Sequence, residues 1–224
     1  MDDRPPPNKS CLLWLVGTLI VLFGAALLFQ SRSHPPYDHI TGTLSHLKDI
    51  DTALFQYAME NNGRLPFADK NGWAYTNSNE AFRVFFQEGY LTPDAESVFE
   101  VRGSPAQIDN HVGKAPGYSE ALRPGECHWA MVKGGRYDDP GPLVWENSVS
   151  GGWNPVWDPT LEVTKPGRTW SGARIIVLTR GHAVKTYKLA DSKAPSHLKN
   201  LDGKSTNIFT DVEAREVLDP AGLK

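Results

Sequence analysis

RIIVLTRGHAVKTYKL, residues 174–189, is the stretch that decides the fold. Its first six residues are dominated by branched aliphatics. Arg180-Gly181 then break the run, and residues 182–189 alternate apolar and polar positions. Two such runs joined by a two-residue turn containing glycine predict an antiparallel hairpin. Upstream, ECHWAMVK (126–133) and PLVWE (142–146) read as two further strands, with a turn at Gly134-Gly135 after the first. The second half of the chain is therefore expected to form a small antiparallel sheet.

The first half has a different period. Ile40, Leu44, Leu47, Ile50, Leu54 and Tyr57 recur at intervals of three and four residues, which predicts an amphipathic helix with one apolar stripe. Asp38 or Thr41 would cap it. Asn61-Asn62-Gly63 gives a left-handed stop, with Pro66 soon after. Asn77 stands three residues before Glu80, a capping box for a short helix through AFRVFFQEGYL that Gly89 closes. SVFEVR (97–102) reads as a short strand, and 103–125 as a long irregular excursion. From Ala190 onward the chain is polar, apart from the short apolar patch Asn207-Ile208-Phe209. Helices first and strands second argue an α+β fold, an amphipathic helix packed on a small antiparallel β-sheet.

Ahead of this lies CLLWLVGTLIVLFGAALLF, residues 11–29, without a charged residue. A bilayer core of about 30 Å needs roughly 20 apolar residues in a helix, so the run predicts a transmembrane anchor. The expected organisation is a tail (1–10), a transmembrane helix (11–29), a juxtamembrane linker (30–37) broken by Pro35-Pro36, and a folded domain (38–224). A cleaved secretory signal is the competing reading, with Ser31 and Ser33 supplying an S-x-S site. Cys11 opens the apolar run rather than closing it, which argues against a lipoprotein. Arg4 and Lys9 precede the run and Arg32 follows it, favouring a cytoplasmic N-terminus and a periplasmic domain.

The formal net charge is −3 and no large basic block occurs, so nucleic acid is not an implied partner. Of the two cysteines, Cys11 lies in the apolar run and Cys127 far from it, leaving no disulfide framework. The 20 glycines and 17 prolines predict many turns between short elements.

Catalytic signals are absent from the sequence. There is no G-x-S-x-G, and Gly134-Gly135 and Gly151-Gly152 lack the strand-loop-helix setting of a phosphate loop. The chain is read as not being an enzyme, with no cofactor. His39 and His46 share a helix face but stand too far apart to share one metal ion. His128 and His182 both fall on expected strands, where they have the chance to approach each other. Asp138, Asp139 and Asp158, near Glu146 and Asn147, are calcium candidates through oxygen ligands, although their spacing matches no EF-hand. Trp129 and Trp145 are expected in the sheet core. Trp153, Trp157 and Trp170 either pin the long loop or present a surface to a partner or glycan.

Residues 51–66, DTALFQYAMENNGRLP, resemble the pattern in which the helix of a type II secretion pseudopilin runs into Asn-Gly-x-x-Pro. TNSNEAFRVFFQEGYL (76–91) resembles the short helix that follows it. GECHWAMV (125–132) with Pro142-Leu-Val144, and RIIVLTRGHAVK (174–185), look like the sheet and final hairpin of the planctomycete and verrucomicrobial pilin-like type, Arg180 replacing a common Asp. The resemblance implies a pilin-like scaffold in the bacterial inner membrane, with the lipid bilayer, other pilin-like subunits or secretion-platform proteins as partners. It also adds to the calcium reading, since some pseudopilins hold calcium in a C-terminal loop. The chain departs from the family in its N-terminal signal: Gly17 is followed by Thr18-Leu19-Ile20-Val21-Leu22, and the apolar run has no glutamate. That departure supports an alternative, a tethered glycan- or protein-binding module that forms no filament.

Overall fold

In a computed structural model the chain is described over residues 37–162, 164–199 and 207–223. The apolar run 11–29, the tail before it and most of the linker lie outside the described residues. Among the described residues no helix is long and apolar enough to cross a membrane.

The long helix α1 (Tyr37–Glu60) forms where the apolar stripe predicts it. Leu47, Ile50 and Leu54 are fully buried, Ala53 and Ala58 nearly so, and Leu44 and Tyr57 pack at the margin. Thr41 lies inside the helix rather than at its cap; the buried stripe, which begins at Ile40, holds this turn in place. The helix ends as expected. Asn62 and Gly63 take left-handed φ values of 57° and 78°, and the Gly63 N–H reaches back to the Ala58 carbonyl at 2.7 Å.

Helix α2 (Ser78–Gln87) starts at the expected box. The Asn77 side chain accepts from the Glu80 N–H, and the Glu80 carboxylate accepts from the N–H and hydroxyl of Thr76. Its phenylalanines Phe82, Phe85 and Phe86 are buried and stack with Phe99 and Tyr90. The strand expected at 97–102 is instead the end of a 3-10 helix, Pro93–Phe99. Pro93 sits in its first turn, where a missing N–H costs nothing and the fixed φ favours helical geometry.

The sheet has five antiparallel strands: β1 (Trp129–Val132), β2 (Pro142–Glu146), β3 (Arg174–Thr179), β4 (Ala183–Lys188) and β5 (Val217–Leu218), in the order β4-β3-β2-β1-β5. Strands β1 to β4 fall where the sequence places them. The β3–β4 connection is longer than expected: Thr179 pairs with Ala183, so Arg180, Gly181 and His182 form a three-residue loop. Gly181 and His182 both have positive φ, the backbone that three-residue hairpin loops need near their end. Strand β5 was not visible in the sequence. It is two residues long, and its pairing with Met131 and Val132 is set by the sheet edge it meets.

Strands β1 and β2 are buried at every position, so both faces of the sheet centre are covered. Trp145 packs against Trp153 of the long loop and Phe209 of the tail, with ring centroids 6.1 and 5.1 Å away. Side chains of α1, α2 and the sheet belong to one continuous apolar core. The fold is thus α+β with a small antiparallel sheet.

Candidate functional site

Asp51 is the charged exception in the buried stripe of α1. One turn after Leu47 the stripe turns acidic, yet Asp51 is only 4% exposed. Its carboxylate accepts the Tyr137 hydroxyl on one oxygen and His182 Nδ1 on the other, at 2.7 Å. His182 Nδ1 also lies 2.9 Å from the Tyr137 oxygen. Each partner has a local reason to be there. Tyr137 follows the Gly134-Gly135 turn after β1, and its N–H bonds to the Gly63 carbonyl just past the helix. His182 sits at the tip of the β3–β4 loop, in a left-handed conformation that turns the ring towards the helix. Burial, then the bond to Asp51, raises the Tyr137 pKa far above the ordinary range, so its hydroxyl keeps the proton. Phe55, one turn further along α1, packs edge-on against His182 at 4.9 Å.

This cluster joins three segments at one point and leaves His182 about half exposed. A carboxylate orienting an imidazole is also a feature of nucleophilic hydrolases. Here the second carboxylate oxygen is taken by a tyrosine. The one cysteine among the described residues, Cys127, is fully buried with its thiol pushed up to about 12 by desolvation. The arrangement clamps the β3–β4 loop to the helix. Beside it, Phe55 (38% exposed), at the margin of the buried face, and Met59 (69% exposed) stand four residues apart on α1. With Arg136 and Tyr137 they border a groove of about 280 Å³.

Of the two roles open to the remaining tryptophans, pinning the long loop or facing a partner, burial decides for the first. Trp157 is fully buried and Trp170 nearly so, which removes both as partner-surface residues. The Trp157 indole N–H donates to the Asn147 carbonyl at 2.9 Å, and that of Trp170 to Glu146 Oε1 at 2.8 Å. Trp153 is partly buried, donating to the Phe209 carbonyl. These rings are loop pins. Burying the large apolar faces of Trp153 and Trp157 against Phe209, and covering Trp170 with the Arg168 guanidinium, outweighs presenting them to water.

Glu146 organises a second buried polar centre. Its carboxylate accepts from Trp170 Nε1 and from the Ile176 N–H. Gly167 N–H binds Asn147 Oδ1 at 2.7 Å, so the Asn147 amide nitrogen faces His128 Nδ1 at 2.8 Å. Nδ1 is then an acceptor, the proton sits on Nε2, and Nε2 stands 3.4 Å from Glu146. Burial holds His128 below its ordinary pKa, opposed by Glu146. The buried Arg168 guanidinium lies 3.9 Å over the Trp170 ring, and burial lowers its pKa too. His128 and His182 do not meet: one belongs to this centre, the other to the Asp51 clamp.

The calcium candidates are already engaged. Asp138 pairs with Arg136, and Asp139 accepts the Arg136 N–H and faces Arg215. Asp158, in another loop, closes a turn on Thr160. Among the described residues no group of three or more His, Cys, Asp and Glu side chains is placed to hold a metal ion. The sequence reading missed Asp51 and Tyr137, whose only local signal is an acidic residue at a stripe position of α1. Comparison with models of known families, with curated proteins and with solved structures finds no match to this chain.

Proposed function

We propose that the chain is a membrane-anchored, pseudopilin-like structural subunit, held in the bacterial inner membrane by residues 11–29 with its α+β domain in the periplasm. In this reading it assembles with like subunits or a secretion platform and carries out no catalysis. The observation that carries the reading is the division of labour along α1. Its inner side is clamped into the domain by Leu47, Ile50, Leu54 and the Asp51–Tyr137–His182 cluster, while Phe55, at the edge of that cluster, and Met59 beyond it keep apolar surface exposed. An apolar pair left exposed on the element nearest the membrane segment in sequence suits a contact with a neighbouring subunit.

Cysteines introduced singly in 11–29 and at Met59, cross-linked in native membranes, test this. Dimers and a ladder of higher species are expected from both regions. A monomer alone, at cross-linker levels that trap a known membrane oligomer, overturns assembly.

A second reading, a tethered binding module that builds no filament, is favoured by a different observation. Trp73 is 76% exposed on a loop whose backbone is tied by hydrogen bonds at Asp69, Asn71, Gly72 and Trp73. The lack of a glutamate in the apolar run points the same way.

A further inference from the structure

Trp73 is the most exposed large apolar side chain among the described residues, and its backbone is not loose. The loop FADKNGWAYT folds back on itself. Ala68 and Ala74 form an antiparallel bridge, the Asp69 N–H bonds the Trp73 carbonyl at 2.9 Å, and Tyr75 N–H bonds the Phe67 carbonyl. Asp69 Oδ1 accepts from the N–H groups of both Asn71 and Trp73, each at 2.9 Å, and Gly72 supplies the positive φ at the tip. A ring that folding leaves in water, on a backbone that folding holds rigid, is pre-organised for contact.

What lies beside the ring decides the occupant. A groove of about 360 Å³ runs between this loop and α2, within the size range of small-ligand sites (about 300–1,000 Å³). Its far wall is Glu80, Arg83 and Gln87, which share one face of α2 at intervals of three and four residues. Each is half tied down and half free. Glu80 uses Oε2 on Thr76, Arg83 uses Nε and Nη2 on the carbonyls of Ala121 and Leu122, and Gln87 uses Nε2 on Gly117. That orients Glu80 Oε1, Gln87 Oε1 and Arg83 Nη1 without consuming them. Asp69 Oδ2 is left in the same way opposite.

We propose that Trp73 and this groove bind a neutral or amino sugar unit of a glycan. The flat ring takes the apolar C–H face of a pyranose, and the held carboxylate, amide and guanidinium atoms take its hydroxyls as alternating acceptors and donor. An apolar peptide would need the ring to continue into an apolar surface, but apart from Ala74 and the largely buried Tyr75 the groove is lined by the polar Asp69, Thr76, Glu80, Arg83 and Gln87. Two carboxylates against one guanidinium disfavour uronic or sialic acids. The site is independent of self-assembly, and it gives the binding-module reading its ligand class.

The test uses the full chain in a detergent without a sugar headgroup, such as an alkylamine oxide. Binding is measured by saturation-transfer NMR and calorimetry against neutral, amino and acidic oligosaccharides and an aromatic-rich apolar peptide. The expected result is binding of a neutral or amino sugar that falls at least tenfold in Trp73→Ala, stays within about threefold in Trp73→Tyr and falls several-fold in Gln87→Ala. Both positions are solvent-exposed, so unchanged thermal unfolding of the variants shows that the loss is local. The proposal is overturned if sugar binding is absent, is equal in Trp73→Ala, or favours acidic sugars. Peptide binding in place of sugar sinks the sugar site but leaves a binding module, and binding of neither sinks both.

Discussion

His182 Nδ1 lies 2.7 Å from the Asp51 carboxylate, joining the tip of the β3–β4 loop to the middle of α1 across 131 residues of chain. A contact this distant in sequence carries a loop-closure cost, and it fixes the relation of helix to sheet rather than either element alone.

Removing the clamp therefore loosens helix from hairpin. Asp51→Ala leaves the Tyr137 hydroxyl short of its acceptor in a largely buried place, and about 2–3 kcal/mol of stability is expected to go. Asp51→Asn, which keeps an acceptor, loses less. Urea unfolding followed by tryptophan fluorescence reads both, and equal midpoints for wild type and Asp51→Ala contradict the clamp.

The stripe of α1 makes a sharper contrast between faces. Leu47→Ala or Leu54→Ala opens a cavity in the core and costs about 2–5 kcal/mol. Lys48→Ala, on the outer side, stays within about 0.5 kcal/mol. Equal effects on the two faces would mean that the helix does not pack as described.

Glu146 is predicted to be the costliest polar position among the described residues. Glu146→Ala strands the Trp170 indole and the Ile176 N–H and removes the carboxylate whose charge offsets the buried Arg168, for about 3–5 kcal/mol. Trp170→Phe removes one of those bonds and costs about 1 kcal/mol. Thermal unfolding of the two variants should rank them in that order.

His128 gives the domain an acid-sensitive element. Burial depresses its folded pKa below the ordinary 6.5, with Arg168 lowering it further and Glu146 opposing. Below about pH 6.5 the unfolded chain takes up a proton that the folded one resists. The contribution is intact above that pH and is lost as pH falls towards the depressed value. Urea midpoints measured from about pH 7.5 down to pH 5 should fall for wild type and fall less for His128→Gln. A steeper fall in the variant reverses the sign and contradicts a neutral buried imidazole.

Local pattern carried much of the fold. Ile40 to Tyr57 and the RIIVLT strand announce themselves through period, because burial of one face or of both leaves a composition that neighbours in sequence reveal. What escaped detection depends on distant partners. His182 looks like a strand residue until Asp51 draws it into the loop. Trp157 and Trp170 sit among prolines, glycines and charges, which left loop pin and partner surface both open until distant contacts with Phe209, Asn147, Glu146 and Arg168 decided for the pin. Val217 and Leu218 are too few to show alternation. Trp73 had a local cue in Asn71-Gly72, a dipeptide favoured in tight reversals, but nothing local distinguishes a ring left in water from one tucked under.

The most direct measurement of the proposed function is fractionation of native membranes after a carbonate wash, with the full chain beside a variant lacking residues 11–29. The account predicts that the full chain stays in the pellet, is digested by protease added from the periplasmic side, and moves to the supernatant when 11–29 is removed. An intact full-length chain in the supernatant, or a domain reached by protease only from the cytoplasmic side, would contradict it.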